Sequence, residues 1–201
     1  MIYLIGCEHF AQRKVSGAEL SACQLAFRWT VQCAIESVQP AAVAEEDHRD
    51  FLWKKHPGSS SREPLESILE SIAGAQQPKI KHRFVDANEA EREEIGYRRS
   101  GGPDIVQSLA HEIVHHFPKR EEFWLRKLED LLNNETDVLF ICGWGHIESF
   151  RELLTSRGIE SSVLATGIGA TPETLQIDVL VRNYIKNHSA EFNRPSCPCQ
   201  T

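Results

Sequence analysis

Five short apolar runs alternate with amphipathic stretches of helical periodicity along this chain, and the alternation constrains the fold more than any other feature. The runs cover residues 2–5, 41–44, 80–85, 138–141 and 162–165. Apart from 80–85, which contains Lys81, His82 and Arg83, each run is almost wholly apolar, as expected for a parallel strand that is covered on both faces. The helical stretches between runs supply the crossovers that parallel strands require. The pattern predicts an α/β fold with a mostly parallel sheet, helices on both faces and a cleft at the carboxyl ends of the strands.

Capping residues and helix breakers place the boundaries of the predicted helices. Asp104 is a typical N-cap for a helix that runs to about residue 117, and Pro118 begins a second helix. Thr171 and Pro172 open the last helix in the same way. The helices are expected over residues 17–38, 65–73, 89–97, 105–117, 118–132, 147–156 and 172–187.

Length and composition favour one globular domain. The chain has 201 residues, of which 41% are hydrophobic and 25% charged. A chain of this length buries enough surface to fold without disulfides or metal. We expect a single α/β domain over residues 1–192 and a disordered tail over 193–201. Residues 56–64 are rich in Pro, Gly and Ser, so we expect a mobile loop whose first part, 56–61, tolerates deletion.

The charge and hydropathy pattern disfavours nucleic acid and a membrane as partners. A net charge of −7 disfavours nucleic acid, since proteins that bind it usually carry a basic face. No apolar run reaches the ~18 residues that suggest a membrane span. The first residues lack the basic region and the apolar length of a signal peptide. We therefore expect a cytoplasmic protein that acts on a small-molecule or peptide substrate; its oligomeric state stays open.

The cysteines are expected to be reduced. Four lie in or beside apolar stretches and are predicted to be buried small hydrophobes, namely Cys7, Cys23, Cys33 and Cys142. Cys197 and Cys199 lie in the predicted tail. A metal or a disulfide there is possible in principle, but a tail without function is the favoured interpretation.

Side chains that bind metals or move protons collect directly after four of the runs. They are Cys7, Glu8 and His9; Glu45, Glu46, Asp47 and His48; Asp86; and Cys142 and His146. The carboxyl ends of parallel strands meet at one edge of a sheet, so these side chains are expected to converge. Imidazole and carboxylate together suit a divalent transition metal, whose bound water is a nucleophile near pH 7. Without a metal, a Glu and His pair can act as general acid and base.

Two GxxH motifs stand out in this set because each one directly follows an apolar run. The first ends at His9 and the second at His146. A single GxxH is a weak signal, since a glycine often ends a strand and a nearby histidine often only hydrogen-bonds a loop. Trp144 lies between the two glycines of the second motif, where it either lines a pocket or serves packing.

The paired motifs, together with the segments IYLIGCEH, QPAAVAEE, RFVDANEAER and DVLFICGWGHIESFRELLTSRGI, resemble the TraB/PrgY/Tiki superfamily. ChaN-like and erythromycin-esterase-like proteins are more distant relatives of that family. The resemblance covers residues 2–160, with 56–78 unmatched. It implies a metal-dependent, hydrolase-like site in which His9 and His146 are the motif histidines. The family glutamate falls on Glu46, with Glu45 one step away; Asp86 and Arg120 match an acidic and a basic family position. Cys7 and Glu8 depart from the small or polar residues that the family often has, and the chain lacks a membrane anchor.

A rival motif lies in the predicted helix after Asp104. His111, Glu112 and His115 form a complete HExxH, in which histidines one turn apart can hold Zn²⁺ while the glutamate activates water. Glu135 is the candidate third ligand. Pro118 soon ends this helix, and strand signals surround it. Both observations favour an ordinary helix face, whose histidines have hydrogen-bond partners, over a zinc site. An accessory role in covering the strand-end site is a further alternative.

The sequence thus predicts a metal-assisted hydrolase. Its expected catalytic residues are His9, Glu46, Asp86, Arg120 and His146. Of these, His9, Glu46 and His146 are the expected ligands of a divalent metal, Mn²⁺ or Zn²⁺. The alternatives are a ligand-binding or sensing domain of the same fold that performs no chemistry, and a zinc metallopeptidase that uses the HExxH motif.

Overall fold

A computed structural model describes residues 1–47, 64–97, 104–132 and 136–192 of the chain. The strands are β1 (Ile2–Cys7), β2 (Arg13–Val15), β3 (Ala42–Glu45), β4 (Leu65–Ser67), β5 (Lys81–Phe84), β6 (Val138–Gly143) and β7 (Ser161–Ile168). The helices are α1 (His9–Gln12), α2 (Ala22–Val38), α3 (Ile68–Ala75), α4 (Glu89–Glu94), α5 (Ile105–His115), α6 (Phe117–Leu132), α7 (Ile147–Ser156), α8 (Pro172–Asn187) and α9 (Ser189–Phe192).

The five predicted runs form one parallel sheet. Its strand order is β5-β3-β6-β1-β7, and every neighbouring pair is parallel. Gly6 lies opposite Cys142 and Cys7 opposite Gly143, so the two GxxH motifs leave neighbouring strands side by side. The predicted α/β class with a mostly parallel sheet is therefore confirmed.

Helices cover both faces of the sheet. Successive side chains of each central strand point to opposite faces, so an apolar strand presents apolar side chains on both faces, and both must be buried. On one face Leu4 and Phe140 belong to a core cluster with Trp124 of α6 and Phe150 of α7. On the other face Ile5 joins a cluster with residues of α2 and α3. Phe140 is fully buried, and truncating a side chain of this kind to alanine costs ~3–5 kcal/mol.

Several boundaries differ from the sequence expectation for local reasons. Helix α2 begins at Ala22 rather than at residue 17, because Ser21 and Gln24 form a capping box that starts the helix there. Residues 65–67 are not helical: as β4 they pair antiparallel with β2 in a separate two-stranded ribbon. Helix α4 ends at Glu94, since Gly96 follows with φ of +65°.

The cysteine prediction holds for two of four positions. Cys7 and Cys142 are buried, and burial raises the pKa of both thiols, so they stay protonated. The prediction of burial is wrong for Cys33, which is exposed on α2, and only partly right for Cys23, which packs against the core from the first turn of α2 and is half-buried. All four are free thiols.

Some predictions fall on residues outside the described ranges. These are the loop at 56–61, the ligand candidate His48, the HExxH partner Glu135, and the tail at 193–201 with Cys197 and Cys199. Across the described ranges, no helix combines the length and apolar character that crossing a bilayer demands.

Candidate active site

The carboxyl ends of β1, β3 and β6 bring the predicted residues to one place. These three strands are neighbours in the centre of the sheet. His9 follows β1, Glu46 follows β3, and His146 follows β6 through a short 3-10 turn, Trp144–His146. Nε2 of His9 lies 3.6 Å, and Nε2 of His146 3.7 Å, from the same atom, Oε1 of Glu46. The geometric expectation of one shared strand-end cleft therefore agrees with the structure.

Glu46 is the centre of this cluster and is 1% exposed. Its Oε2 accepts a hydrogen bond from the Gly143 amide at 2.6 Å, and its Oε1 accepts one from Nη2 of Arg120 at 2.5 Å. A buried carboxylate is stable only with such partners. Both oxygens of the carboxylate are thereby fixed in place.

The side chain of the neighbouring Glu45 points to the opposite face of the sheet. Its Oε1 accepts hydrogen bonds from Oγ of Ser67 at 2.5 Å and from Nε2 of His82 at 2.7 Å. Consecutive residues of a strand point to opposite faces, so only one of the two glutamates can reach the motif histidines. That residue is Glu46.

The first glycines of the two motifs let the motifs pack against each other. A Cβ on Gly143 would lie 3.2 Å from Oε2 of Glu46 and 3.2 Å from Nε2 of His9. A Cβ on Gly6 would lie 2.9 Å from the Trp144 Cα and 2.7 Å from a side-chain carbon of Ile147. Each glycine therefore leaves room for a residue of the other motif or its flank.

His146 lies at the floor of the cleft and is 3% exposed. Its ring stacks on Phe117 with centroids 3.5 Å apart and meets Trp124 edge-on. Burial, together with the charge of Arg120, lowers the pKa of His146 well below its ordinary value, so the ring is neutral. Nδ1 lies 2.8 Å from Oε1 of Glu121, and Nη1 of Arg120 lies 3.4 Å from Nε2. Arginine can only donate, so Nε2 carries the lone pair and Nδ1–H donates to Glu121.

Arg120 links the site to the third strand end. Its Nη2 lies 3.0 Å from Oδ2 of Asp86, which also accepts from Arg92, while Oδ1 of Asp86 accepts from the Trp124 indole at 3.0 Å. Burial opposes ionisation of Asp86, but the Arg120 guanidinium and these donors hold its pKa below the ordinary value. Burial likewise opposes the charge on Arg120, yet Glu46 and Asp86 raise its pKa, so it remains a cation.

His9 is the solvent-facing member of the cluster, with its side chain 50% exposed. The adjacent Glu8 accepts a hydrogen bond from the Trp144 indole at 2.8 Å, which ties the two motifs together at the surface. Trp144 also lines the cleft, so its pocket interpretation agrees with the structure.

An open cleft of about 410 Å³ lies over this cluster. His9, Arg120 and His146 reach it from the sheet side, and helices α5 and α8 form the opposite wall. Cofactor and substrate sites are typically concave and mostly apolar with a few converging polar groups. The cluster and the cleft together have the form of such a site.

The arrangement does not fit a metal ion in this conformation. Within the described ranges, no group of three His, Cys, Asp or Glu side chains is placed to hold one. The physical reason is Arg120, whose cationic Nη2 lies 2.5 Å from Oε1 of Glu46 and whose Nη1 faces Nε2 of His146. A divalent ion between those atoms would have to displace the guanidinium. Metal binding by His9, Glu46 and His146 therefore stays a prediction.

The HExxH residues lie on α5, and they divide between two surfaces. Glu112 lines the cleft and accepts a hydrogen bond from the Tyr97 hydroxyl at 2.7 Å. His111 and His115 contact each other, with ring centroids 4.5 Å apart, and do not line the cleft. The helix therefore covers the strand-end site, as the accessory alternative expected.

Sequence reasoning missed Glu121, Phe117 and Trp124 as members of the site. All three come from α6, which crosses the sheet beside His146. Arg120 and Glu121 follow Phe117 by three and four residues, and Trp124 follows them by four and three, so all lie on one side of the helix. That i, i+3 and i, i+4 spacing is the available sequence signal. Their role depends on which face α6 turns to the sheet, and that is a property of packing.

Comparison of the chain with models of protein families, with curated proteins and with solved structures gave no match. The resemblance to the TraB/PrgY/Tiki superfamily thus stays a prediction.

Proposed function

We propose that this protein is a hydrolase whose attacking water is activated at His9, beside Glu46 and His146. One observation carries the proposal: the imidazoles of two motifs 137 positions apart meet at one buried carboxylate oxygen, at distances of 3.6 and 3.7 Å, on the floor of an open cleft. Grouped histidine and carboxylate in a cleft is the arrangement that general acid–base catalysis requires.

His9 takes the role of general base, because it is half-exposed and reaches both the cleft and Glu46. Its Nε2 accepts a proton from water while the water oxygen bonds to the carbonyl carbon of the substrate. The same proton then passes to the leaving group as the carbon–heteroatom bond breaks. The Glu46 carboxylate, whose Oε1 lies 3.6 Å from that same nitrogen, stabilises the transient imidazolium by its negative charge.

Arg120 supplies positive charge where the carbonyl oxygen becomes negative. It lines the cleft, and its guanidinium is held in place by Glu46 and Asp86. Preorganised cations and donors of this kind account for much of the rate enhancement of hydrolases. Neutral His146 fixes the orientation of Arg120 from the side through Nε2.

The metal-assisted form of this hydrolase, which the sequence predicts, makes a different demand on the site. It needs Mn²⁺ or Zn²⁺ bound to His9, Glu46 and His146, and the Arg120 guanidinium would then have to move away from Glu46 and His146. From the observed contacts of Arg120 we expect hydrolysis to persist after chelation.

The test is a panel of ester and amide substrates with the wild-type protein and His9→Ala, with metal content measured on each preparation. We expect kcat/KM to fall at least ~100-fold in His9→Ala, the usual contribution of a general base. Loss of activity on chelation, restored by Mn²⁺ or Zn²⁺, would replace the metal-free mechanism with the metal-assisted one. Equal turnover in wild type and His9→Ala would refute the proposed site.

A ligand-binding domain without chemistry is the second candidate. The observation that favours it is the closed network of Arg120, Glu46 and Asp86, in which the charged groups already satisfy one another. Saturable ligand binding without turnover of any substrate in the panel would establish this candidate.

A further inference from the structure

The cleft wall opposite His9 is apolar, and this wall bears on the substrate. Helix α5 contributes Leu109 and Ile113 to the lining, and helix α8 contributes Ile177 and Val181. Trp144 and Phe117 extend this surface toward the motif histidines. The polar cluster therefore faces a mainly hydrophobic surface across the cleft, which Glu112, Thr174 and Asp178 interrupt.

The wall is built for a ligand rather than for the core. Helix α8 has one buried residue, Val181, and α5 likewise has one, Ala110. Ile113 and Ile177 are only partly buried although they point into the cleft. Apolar side chains that stay wetted in a concave site gain free energy when an apolar ligand removes them from water.

The charges around the cleft oppose an anionic ligand. The carboxylates of Glu8 and Glu112 line it, and their hydrogen-bond donors, the Trp144 indole and the Tyr97 hydroxyl, carry no charge. Burial and the Glu112 carboxylate raise the pKa of Tyr97 to about 12, so it remains a neutral donor.

The positive charge in the cleft does not offset those carboxylates. Among the described lining residues Arg120 holds the fixed positive charge, and both Glu46 and Asp86 contact it. An incoming carboxylate or phosphate therefore meets a net negative surface.

We infer that the substrate of this site is an uncharged carbonyl compound with an apolar aryl or alkyl group, which packs between α5 and α8 while its carbonyl faces His9 and Arg120. The inference rests on the proposed hydrolase and deepens it by naming the substrate class. Ile113 and Ile177 are the specificity-determining residues, because they touch the apolar group and not the reacting atoms.

Binding of non-hydrolysable carbonyl compounds tests this inference separately from turnover. Isothermal titration calorimetry compares 4-phenylbutan-2-one, which is neutral and apolar, with 4-phenylbutanoate, which is anionic, and with propanone, which lacks the aryl group. We expect the phenyl ketone to bind with a negative heat-capacity change, the marker of apolar burial. The other two are expected to bind at least tenfold more weakly.

Matched variants identify the binding surface. Ile177→Asn is expected to weaken phenyl ketone binding at least fivefold, whereas Val179→Asn, on the same helix but 57% exposed and outside the cleft lining, leaves it unchanged. Ile113→Asn repeats the test from α5 in case Ile177→Asn does not fold, as judged by circular dichroism. Unaltered binding in both cleft variants overturns the inference.

The remaining outcomes separate the inference from the function on which it rests. Selective phenyl ketone binding without turnover of any ester supports the substrate class and refutes the hydrolase. Hydrolysis that favours anionic or small polar esters supports the hydrolase and overturns the substrate class. The absence of binding by all three compounds also overturns it.

Discussion

Glu121 fixes the tautomer of His146 although it never touches the cleft. Its Oε1 accepts from Nδ1 of His146 at 2.8 Å and from Oγ of Ser149 at 2.6 Å. The proton on Nδ1 leaves the lone pair of Nε2 directed toward Arg120 and Glu46. A partner on the remote nitrogen of a functional histidine commonly sets its orientation and basicity.

Replacing His146 with alanine is expected to reduce kcat/KM at least ~100-fold, about 2.7 kcal/mol of activation free energy. The ring orients Arg120 and borders Glu46, so its loss disturbs both groups. His111→Ala is the matched control, since His111 does not line the cleft; we expect its activity to stay within about tenfold of wild type. Steady-state kinetics on both variants measure this, and an active His146→Ala beside an inactive His111→Ala would instead support the HExxH site.

Glu121 also makes stability depend on pH. Burial raises its pKa from an ordinary 4.5 to about 7. Between these values the unfolded chain has released the proton that the folded protein keeps, so the free energy of unfolding falls as the pH rises through this window and levels off above it.

Glu121→Gln cannot ionise and lacks that decline. The free energy of unfolding of the variant, relative to wild type, is expected to rise by on the order of 2 kcal/mol from pH 4.5 to pH 8. Urea denaturation at several pH values measures the difference. Glu122→Gln is the control, because the neighbouring Glu122 is a surface residue paired with Arg157; parallel profiles for both variants would contradict the assignment.

At the scale of elements, α5 depends on its N-cap more than on burial. The Asp104 carboxylate accepts hydrogen bonds from the amides of Val106 and Gln107 at 2.9 and 3.2 Å. With Ala110 as its buried residue, the helix gains little from the core and is stabilised by its cap and by contact with α8.

Asp104→Ala is expected to lower the free energy of unfolding by about 1 kcal/mol, because two amides at the start of α5 lose their acceptor. Asp104→Asn preserves an N-cap acceptor and is expected to restore most of the loss. Chemical denaturation of the two variants provides the comparison, and equal destabilisation by both would show that the charge rather than the cap matters.

The sequence predicts those elements whose signal lies within the element itself, such as an apolar run or a helix cap. The three central strands, β1, β3 and β6, are buried on both faces, so each one reads as an apolar run. Strands β2 and β4 escaped prediction because both are short and polar, and their partners lie about 50 positions apart. The strand-end location of His9, Glu46 and His146 follows from the parallel sheet, whereas Glu121 required knowledge of how α6 packs.

For the molecule as a whole, substitution of the two motif glycines, Gly6 and Gly143, by alanine is expected to have unequal effects. A Cβ at Gly6 would lie 2.9 Å from the backbone Cα of Trp144, and backbone cannot easily yield. A Cβ at Gly143 would lie 3.2 Å from Nε2 of His9, a half-exposed side chain that can turn away, and 3.2 Å from Oε2 of the buried Glu46.

Gly6→Ala is therefore expected to destabilise the fold by ~1–3 kcal/mol through overpacking. Gly143→Ala is expected to destabilise the fold less than Gly6→Ala, because its near neighbours are side chains, and to lose activity, because His9 and Glu46 must both shift. Gly74→Ala, in helix α3 with open space around it, is the control and is expected to be neutral or stabilising. Thermal melts and kinetics on the three variants test this contrast, and a fully active Gly143→Ala would contradict it.

The packing of Gly6 and Gly143 against the opposite motif also links the assembly of the site to the order of folding. The motifs meet only when β1 pairs with β6, a contact between parts of the chain more than 130 positions apart. Closing so long a loop is entropically costly and slow compared with the formation of helices. During refolding, the capacity to bind ligand should consequently appear after most of the helical signal, so that an occupied cleft reports completion of the central strand pairing rather than the mere presence of secondary structure.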